Sequence, residues 1–310
     1  MSDAMRGEAM DRPPTPPAED VGSGPTDFMT FGPVHLDVID GDRSLGFWRD
    51  VVGLRLRGRD DGMLELGTDD ETLLVLHPGA TSRPRRGFSG LYHVAIHLPD
   101  EPEFARVLAR LIRRRWPIAP TDHVMSKAIY LDDPDGIGLE LTLETPERMR
   151  SMRMIGNRPV VIDSEGRERS GRDPLDVERL LARLPDTDYE RPVPSGTRVG
   201  HLHFHVGDIY AAHRFYSEVL GFTDHMYAPE LGMADFHAGG RFPHRLALNT
   251  WQGVGAPRPP VGTAGLRHYA LRLDSPARLQ AVLQKVPSAE RDSSGSWVTD
   301  PAGNRLLLTA

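Results

Sequence analysis

Short runs in which apolar residues alternate with polar ones return four times along the chain, each time followed by a stretch with helical spacing. Alternation with period two marks a strand with one buried face, and spacing of three and four marks a helix that lies on it. The first copy begins Val34-His35-Leu36-Asp37-Val38-Ile39-Asp40 and passes into Ser44 to Leu54. The third copy repeats it: His201-Leu202-His203-Phe204-His205-Val206 precedes a helix in which Phe215, Tyr216, Val219 and Leu220 share a face and Gly221 is the stop. The second copy opens on Leu91 to His97, with a helix around Phe104 to Arg115, and the fourth opens on Leu266 to Asp274. Both enter their last strand through an Asp-Pro-x-Gly turn, at Asp133 to Gly136 and at Asp300 to Gly303.

The repeat predicts an α+β protein of four βαβββ modules: 30–80, 88–145, 198–255 and 263–310. Residues 1–29 form a Pro-rich tail expected to be disordered, and 146–197 a linker with one helix near Pro174 to Leu184. A helix covers only one face of each module's sheet. The modules should therefore pair into two open, barrel-like cups, each curving its free face around a cavity, where function belongs.

Composition narrows the chemistry. A net charge of -7, from 37 basic and 44 acidic residues, offers no field for nucleic acid or anionic lipid. There is no cysteine, so a metal must be held by His, Asp or Glu, which favours ions such as Fe(II), Mn(II) or Zn(II). No apolar run approaches the roughly 18 residues of a membrane helix, nor is there a signal-peptide core. The cytoplasm is the expected compartment.

The strand Leu91 to Leu98 puts Val94, Ile96 and Leu98 on one face and His93, Ala95 and His97 on the other. In the third module, Leu202, Phe204 and Val206 leave His201, His203 and His205 facing the opposite way. Counted back from Asp100 and Asp208, His93 and His201 hold the same place in their modules. On the last strand of the second module, Leu139, Leu141 and Leu143 oppose Gly138, Glu140 and Thr142, so Glu140 can look into a cup. Ahead of it runs Thr121-Asp122-His123, then Ile129-Tyr130 and Asp133-Pro134-Asp135-Gly136.

With these spacings the four modules resemble those of the vicinal oxygen chelate superfamily. The span from Phe31 to Thr309 resembles the bacterial catechol 2,3-dioxygenases, the type I extradiol ring-cleaving enzymes, and the run from Thr121 to Glu140 is similar to their signature. The resemblance implies an oxidoreductase in which His93, His201 and Glu140 form a facial triad on Fe(II), with Mn(II) as the alternative ion. Three positions are then left for a bidentate substrate and O₂. It also implies that His123 and Tyr130 hydrogen-bond the catechol oxygens or ring-opened intermediates, and that His244 accepts the second catechol proton. Pro243 beside it departs from relatives that often carry His there. The expected partners are a catechol-type diol and O₂, giving a 2-hydroxymuconic-semialdehyde-type product, and a homo-oligomer is expected.

Only pairing of the second and third modules completes this triad. First with second would join Pro33 to His93 and Glu140, and third with fourth would set Leu307 where the carboxylate belongs. An active cup from modules two and three and a degenerate cup from one and four follow. His97, His203 and His205 are expected as lining, His35 and His268 as structural, and Trp251, Tyr227 and Phe236 as candidates for an aromatic pocket. Two other readings stay open: a glyoxalase-like isomerase or lyase of the same fold, which needs a fourth protein ligand, and a non-catalytic small-molecule binder.

Overall fold

A computed structural model describes residues 26–155 and 158–310. Most of the Pro-rich tail expected from the sequence, residues 1–25, lies outside the described residues. Its last members do not behave as a tail, because Asp27 binds the Arg245 guanidinium at 2.9 Å and Met29 is buried at the start of the first strand.

Each of the four units begins with a strand that ends at a helix-capping side chain. The first runs β1 (Met29–Val38), α1 (Gly41–Gly46), β2 (Arg55–Asp60), β3 (Met63–Gly67) and β4 (Thr72–Pro78). The second is β5 (Gly90–His97), α2 (Glu101–Arg113), β6 (Ala119–Asp122), β7 (Ser126–Asp132) and β8 (Gly138–Glu144). The connecting segment holds β9 (Met149–Ile155), β10 (Arg158–Asp163), β11 (Glu168–Arg169), β12 (Asp173–Pro174) and α3 (Val177–Leu181). The third unit is β13 (Arg198–His205), α4 (Ile209–Arg214), β14 (Thr223–Ala228), β15 (Met233–His237) and β16 (Leu246–Asn249). The fourth is β17 (Gly265–Leu273), α5 (Pro276–Lys285), β18 (Glu290–Asp292), β19 (Gly295–Thr299) and β20 (Arg305–Thr309). Side-chain oxygens of Asp40, Asp100, Asp208 and Ser275 accept from the first-turn amides, so the residues that end the strand pattern also start the helices. α1 and α4 both run on into π-helical turns, Phe47–Val52 and Phe215–Val219, and leave them through glycines of positive φ, Gly53 and Gly221.

Two mixed sheets result. One has the order β18-β19-β20-β17-β1-β4-β3-β2, from the first and fourth units. The other has β12-β6-β7-β8-β5-β13-β16-β15-β14, from the second and third units with β12 of the connecting segment at its edge. Antiparallel seams β1/β17 and β5/β13 join the units, and neither sheet closes on itself. The helix-side faces share one apolar core, where Phe204 of one sheet meets Tyr269 of the other with ring centres 5.5 Å apart. Among the described residues no helix is long and apolar enough to cross a membrane.

The segment expected as a linker with one helix does more. α3 is a single short helix, but β9, β10 and β11 form a three-stranded sheet, and β12 pairs with β6 at the edge of the larger sheet. Met149 and Met152 of β9 and Val161 of β10 pack on Val124 in a small cluster of their own, too few apolar positions to stand out in an Arg-rich sequence. The segment is also held by two arginines buried on α2, where amphipathic spacing alone would place apolar residues. Arg106 grips the Asp186 carboxylate at 2.6 and 3.1 Å. Arg110 donates to the carbonyls of Tyr189 and Val52, both at 2.7 Å, and of Arg191. Arg110→Leu fills the space but strands three acceptors. It is expected to destabilise the fold by about 2–4 kcal/mol, read as a lower urea midpoint at unchanged slope; an unchanged midpoint would contradict this role.

Candidate active site

The antiparallel seam of β5 and β13 lines the floor of the larger cup. Pleating alone sends His93 and His97 of β5, and His201, His203 and His205 of β13, to its concave side. Two irregularities modify this pattern. Pairing jumps from His203↔His93 to Phe204↔Leu91, so Tyr92 is an extra residue on β5, and from Val199↔Ile96 to His201↔Ala95, so Gly200 is an extra residue on β13. The first bulge swings Tyr92 to the same side as its neighbour: its ring centre lies 4.7 Å from that of His93, 4.7 Å from His205 and 5.0 Å from His203.

Glu140, on β8 beside β5, reaches the same point. Its Oε2 lies 3.2 Å from His93 Nε2 and 3.1 Å from His201 Nε2, and the two Nε2 atoms are 3.3 Å apart. All three side chains are at least 96% buried. Burial pushes His93 down to about 3 and His201 well below its ordinary value, which leaves imidazole lone pairs available at neutral pH. Burial also works against the charge of Glu140, but the imidazoles of His93, His123 and His244 and the Thr142 hydroxyl, 2.9 Å away, hold its carboxyl below the usual range. No arginine or lysine bonds this carboxylate among the described residues.

A buried anion facing two lone pairs is an unbalanced arrangement unless a cation completes it. The donor set fits a divalent ion. Donors about 2.1 Å from one centre at right angles stand about 3.0 Å apart, close to the edges of this triangle. The three atoms form a cluster able to hold a metal, and no fourth carboxylate or imidazole joins it among the described residues.

A line of hydrogen bonds orients His201 from behind. Glu144 Oε1 lies 2.8 Å from His97 Nδ1, and His97 Nε2 lies 2.8 Å from His201 Nδ1. Glu144 is kept ionised by His97 and by Arg198 and Arg245, each 2.6 Å away, despite the burial that opposes its charge. As a pure acceptor it requires the proton on His97 Nδ1. His97 Nε2 must then accept from His201 Nδ1–H, which turns the bare Nε2 of His201 into the cluster. Sequence reading assigns His97 to the lining; it is instead the support of a neighbour. Gly200 makes this contact sterically feasible, since a Cβ there would sit 2.0 Å from the His97 ring. An isolated glycine inside an alternating strand is a bulge signal that could have been read beforehand.

His123 and Tyr130 stand together on the rim. His123 Nδ1 donates to the Gly171 carbonyl at 2.6 Å, so its Nε2 is bare and accepts from the Tyr130 hydroxyl at 2.8 Å. Burial and Glu140 raise Tyr130 well above its ordinary pKa, keeping the phenol neutral. On the opposite wall, His244 lies edge-on to His201, with ring centres 4.5 Å apart, and donates from Nδ1 to Asp235 Oδ1 at 2.8 Å. Burial acts against the protonated ring, but Asp235 overcomes it and lifts His244 above its ordinary pKa. Asp235, which also accepts from His225 at 2.9 Å, was not legible in the sequence.

His203 and His205 line the cup. The Asn249 amide donates to His203 Nε2 at 2.8 Å and its oxygen accepts from His205 Nδ1 at 2.6 Å, which takes both rings out of the metal cluster. Of the aromatic candidates, Trp251 stands at the mouth, 5.8 Å from Tyr92 and with the Arg172 guanidinium 5.9 Å from its ring. The others belong elsewhere: Phe236 is fully buried in the core beneath the sheet, and Tyr227 stacks on His213 at 3.9 Å. Apolar and aromatic residues satisfy a core and a pocket equally well, so strand identity alone could not separate the two. His35 and His268 stack at 3.9 Å in the smaller-unit sheet, with His77 bonded to His35 at 2.9 Å, away from the cluster.

Residues 30–141 match the family model of the Glyoxalase/Bleomycin resistance protein/Dioxygenase superfamily. Over 285 residues, 89% of this chain and 95% of the other, the sequence is 34% identical to the catechol-2,3-dioxygenase of Bacillus subtilis (strain 168). Among solved structures, glyoxalase I from Zea mays superposes with a TM-score of 0.52 at 16% identity, covering 91% of this chain and 92% of its own, a likeness of fold. With one relative matched along nearly its whole length, the chain belongs to the glyoxalase/bleomycin resistance protein/dioxygenase superfamily.

Proposed function

We propose that the protein is an extradiol ring-cleaving dioxygenase acting on a catechol-type diol, with His93, His201 and Glu140 holding Fe(II), or Mn(II) as the alternative. The observation that carries this is the convergence of three buried donor atoms within 3.3 Å of one another in a cup walled by neutral or proton-carrying side chains. The 34% identical relative named for this activity supports it. A cavity of about 510 Å³ reaches His93 and Tyr130 between Tyr92 and Trp116, large enough for a substituted ring.

Fe(II) bound there would supply adjacent sites for the diol oxygens and O₂ and a path for electrons between them. The chain's own residues handle position and protons. Tyr92 and Trp251 give aromatic faces for the ring. His244, with Asp235 fixing its Nδ1 proton, presents Nε2 to the cup and accepts a proton there from the diol, returning it when the ring has opened. The Tyr130 hydroxyl, aimed by His123, donates toward a diol oxygen once it rotates from its resting partner. Both atoms of O₂ enter the semialdehyde acid, so no external reductant is required.

The absence of a fourth ligand among the described residues favours this reading over a glyoxalase-like isomerase. Anaerobic Fe(II)-loaded protein given catechol, alkylcatechols or biphenyl diols, then O₂, is expected to form a yellow product with one O₂ consumed per ring. No colour and no O₂ uptake across that panel would sink the proposal. His244→Asn is expected to keep its iron and lose roughly 10²- to 10⁴-fold in kcat; a change below threefold would remove His244 from proton transfer.

A further inference from the structure

A second cavity, of about 530 Å³, lies where the ends of the two sheets meet, and none of the three clustered donors lines it. Its walls come from equivalent positions of the second and fourth units. Gly90 corresponds to Gly265, with φ of +128° and +145°, and Gly136 to Gly303, with φ of +89° and +88°, so the backbone repeats even in its left-handed turns. The side chains do not repeat. Where the second unit has Tyr92 and Gly138, the fourth carries Arg267 and Arg305.

Three more arginines, Arg85, Arg86 and Arg258, reach the same cavity from loops, against a single lining carboxylate, Asp132. A chain with net charge -7 thus lines one cavity with five arginines. Arg267 is steadied by Asp37 at 3.0 Å, and Arg305 by Glu290 at 3.1 Å and the Trp297 ring at 4.3 Å. Arg85, Arg86 and Arg258 have no ion-pair partner among the described residues. Arg258 lies against Gly303, where a Cβ would stand 2.4 Å from its Nε. Three arginines without a carboxylate partner, beside two that have one, make this cavity a place where an added anion is favoured.

We propose that this cavity binds a small polyanion carrying two or more carboxylate or phosphate groups. Guanidinium groups recognise either group through paired N–H donors, and the cavity falls within the size range of small-molecule sites, about 300–1,000 Å³. The cavity contains none of the His-Glu-His donors, and Tyr92 and His205 form the wall it shares with the active cup.

Calorimetric titration of the full-length protein with benzene-1,3,5-tricarboxylate and with fructose 1,6-bisphosphate, at ionic strength held constant with NaCl, tests this. The expected result is saturable binding of at least one probe with one site per chain. Affinity is expected to fall tenfold or more in the double variant Arg258→Ala/Arg267→Ala and to stay unchanged in Arg113→Ala, whose guanidinium lies over Tyr189 instead. Binding of the tricarboxylate alone would identify a carboxylate ligand, and of the bisphosphate alone a phosphate ligand. No saturable binding of either probe, or equal affinity in the double variant, would overturn the proposal.

Discussion

Glu140→Ala is expected to reduce iron content from about one per chain to less than a tenth after desalting of Fe(II)-loaded protein. Glu140 is the single anion in the cluster, and its Oε2 is within 3.2 Å of both imidazole nitrogens. Two neutral imidazoles remaining in a buried site cannot offset the desolvation of a divalent ion. Glu140→Gln keeps the shape and removes the charge, so the rise in Tm on adding Fe(II) is expected to disappear. Elemental analysis and paired thermal scans check both halves. Full iron occupancy in Glu140→Ala would take Glu140 out of the proposed triad.

Gly200→Ala is expected to lower metal affinity about 10- to 100-fold without touching any of the proposed ligands. The added methyl would lie 2.0 Å from the His97 ring, so that ring must leave the position in which it bonds both Glu144 and His201. His201 then loses the partner that keeps its proton on Nδ1, and its Nε2 is bare for only part of the time. A competing chelator titrated against folded protein reads this loss directly. His97→Gln, which can still accept a hydrogen bond, is expected to weaken affinity less than His97→Leu, which cannot. Equal affinity in the glutamine and leucine variants would reduce His97 to packing.

What could be read from the sequence were features set by local geometry. The pleat sends alternate residues to opposite faces whatever surrounds the strand, so the shared orientation of His93, His97, His201 and Glu140 was legible from apolar alternation. The capping residues Asp100 and Asp208 supplied a common origin for counting. The repeated Asp-Pro-x-Gly turns announced the last strands of two units for the same reason: their conformation is decided within five residues.

Tertiary structure decided everything that depends on which strand lies beside which and in what register. The bulges at Tyr92 and Gly200 exist only in the β5/β13 pairing, and they bring Tyr92 to the side of His93 and let His97 lean on His201. The carbonyl of Gly171 selects the tautomer of His123 from 48 residues away, across a segment whose strands bury only a few apolar residues. Asp235 meets His244 only because β15 lies beside β16. Strand faces follow from a period of two residues, but hydrogen-bond partners across a sheet follow from register, and register is chosen by the packing of the whole molecule.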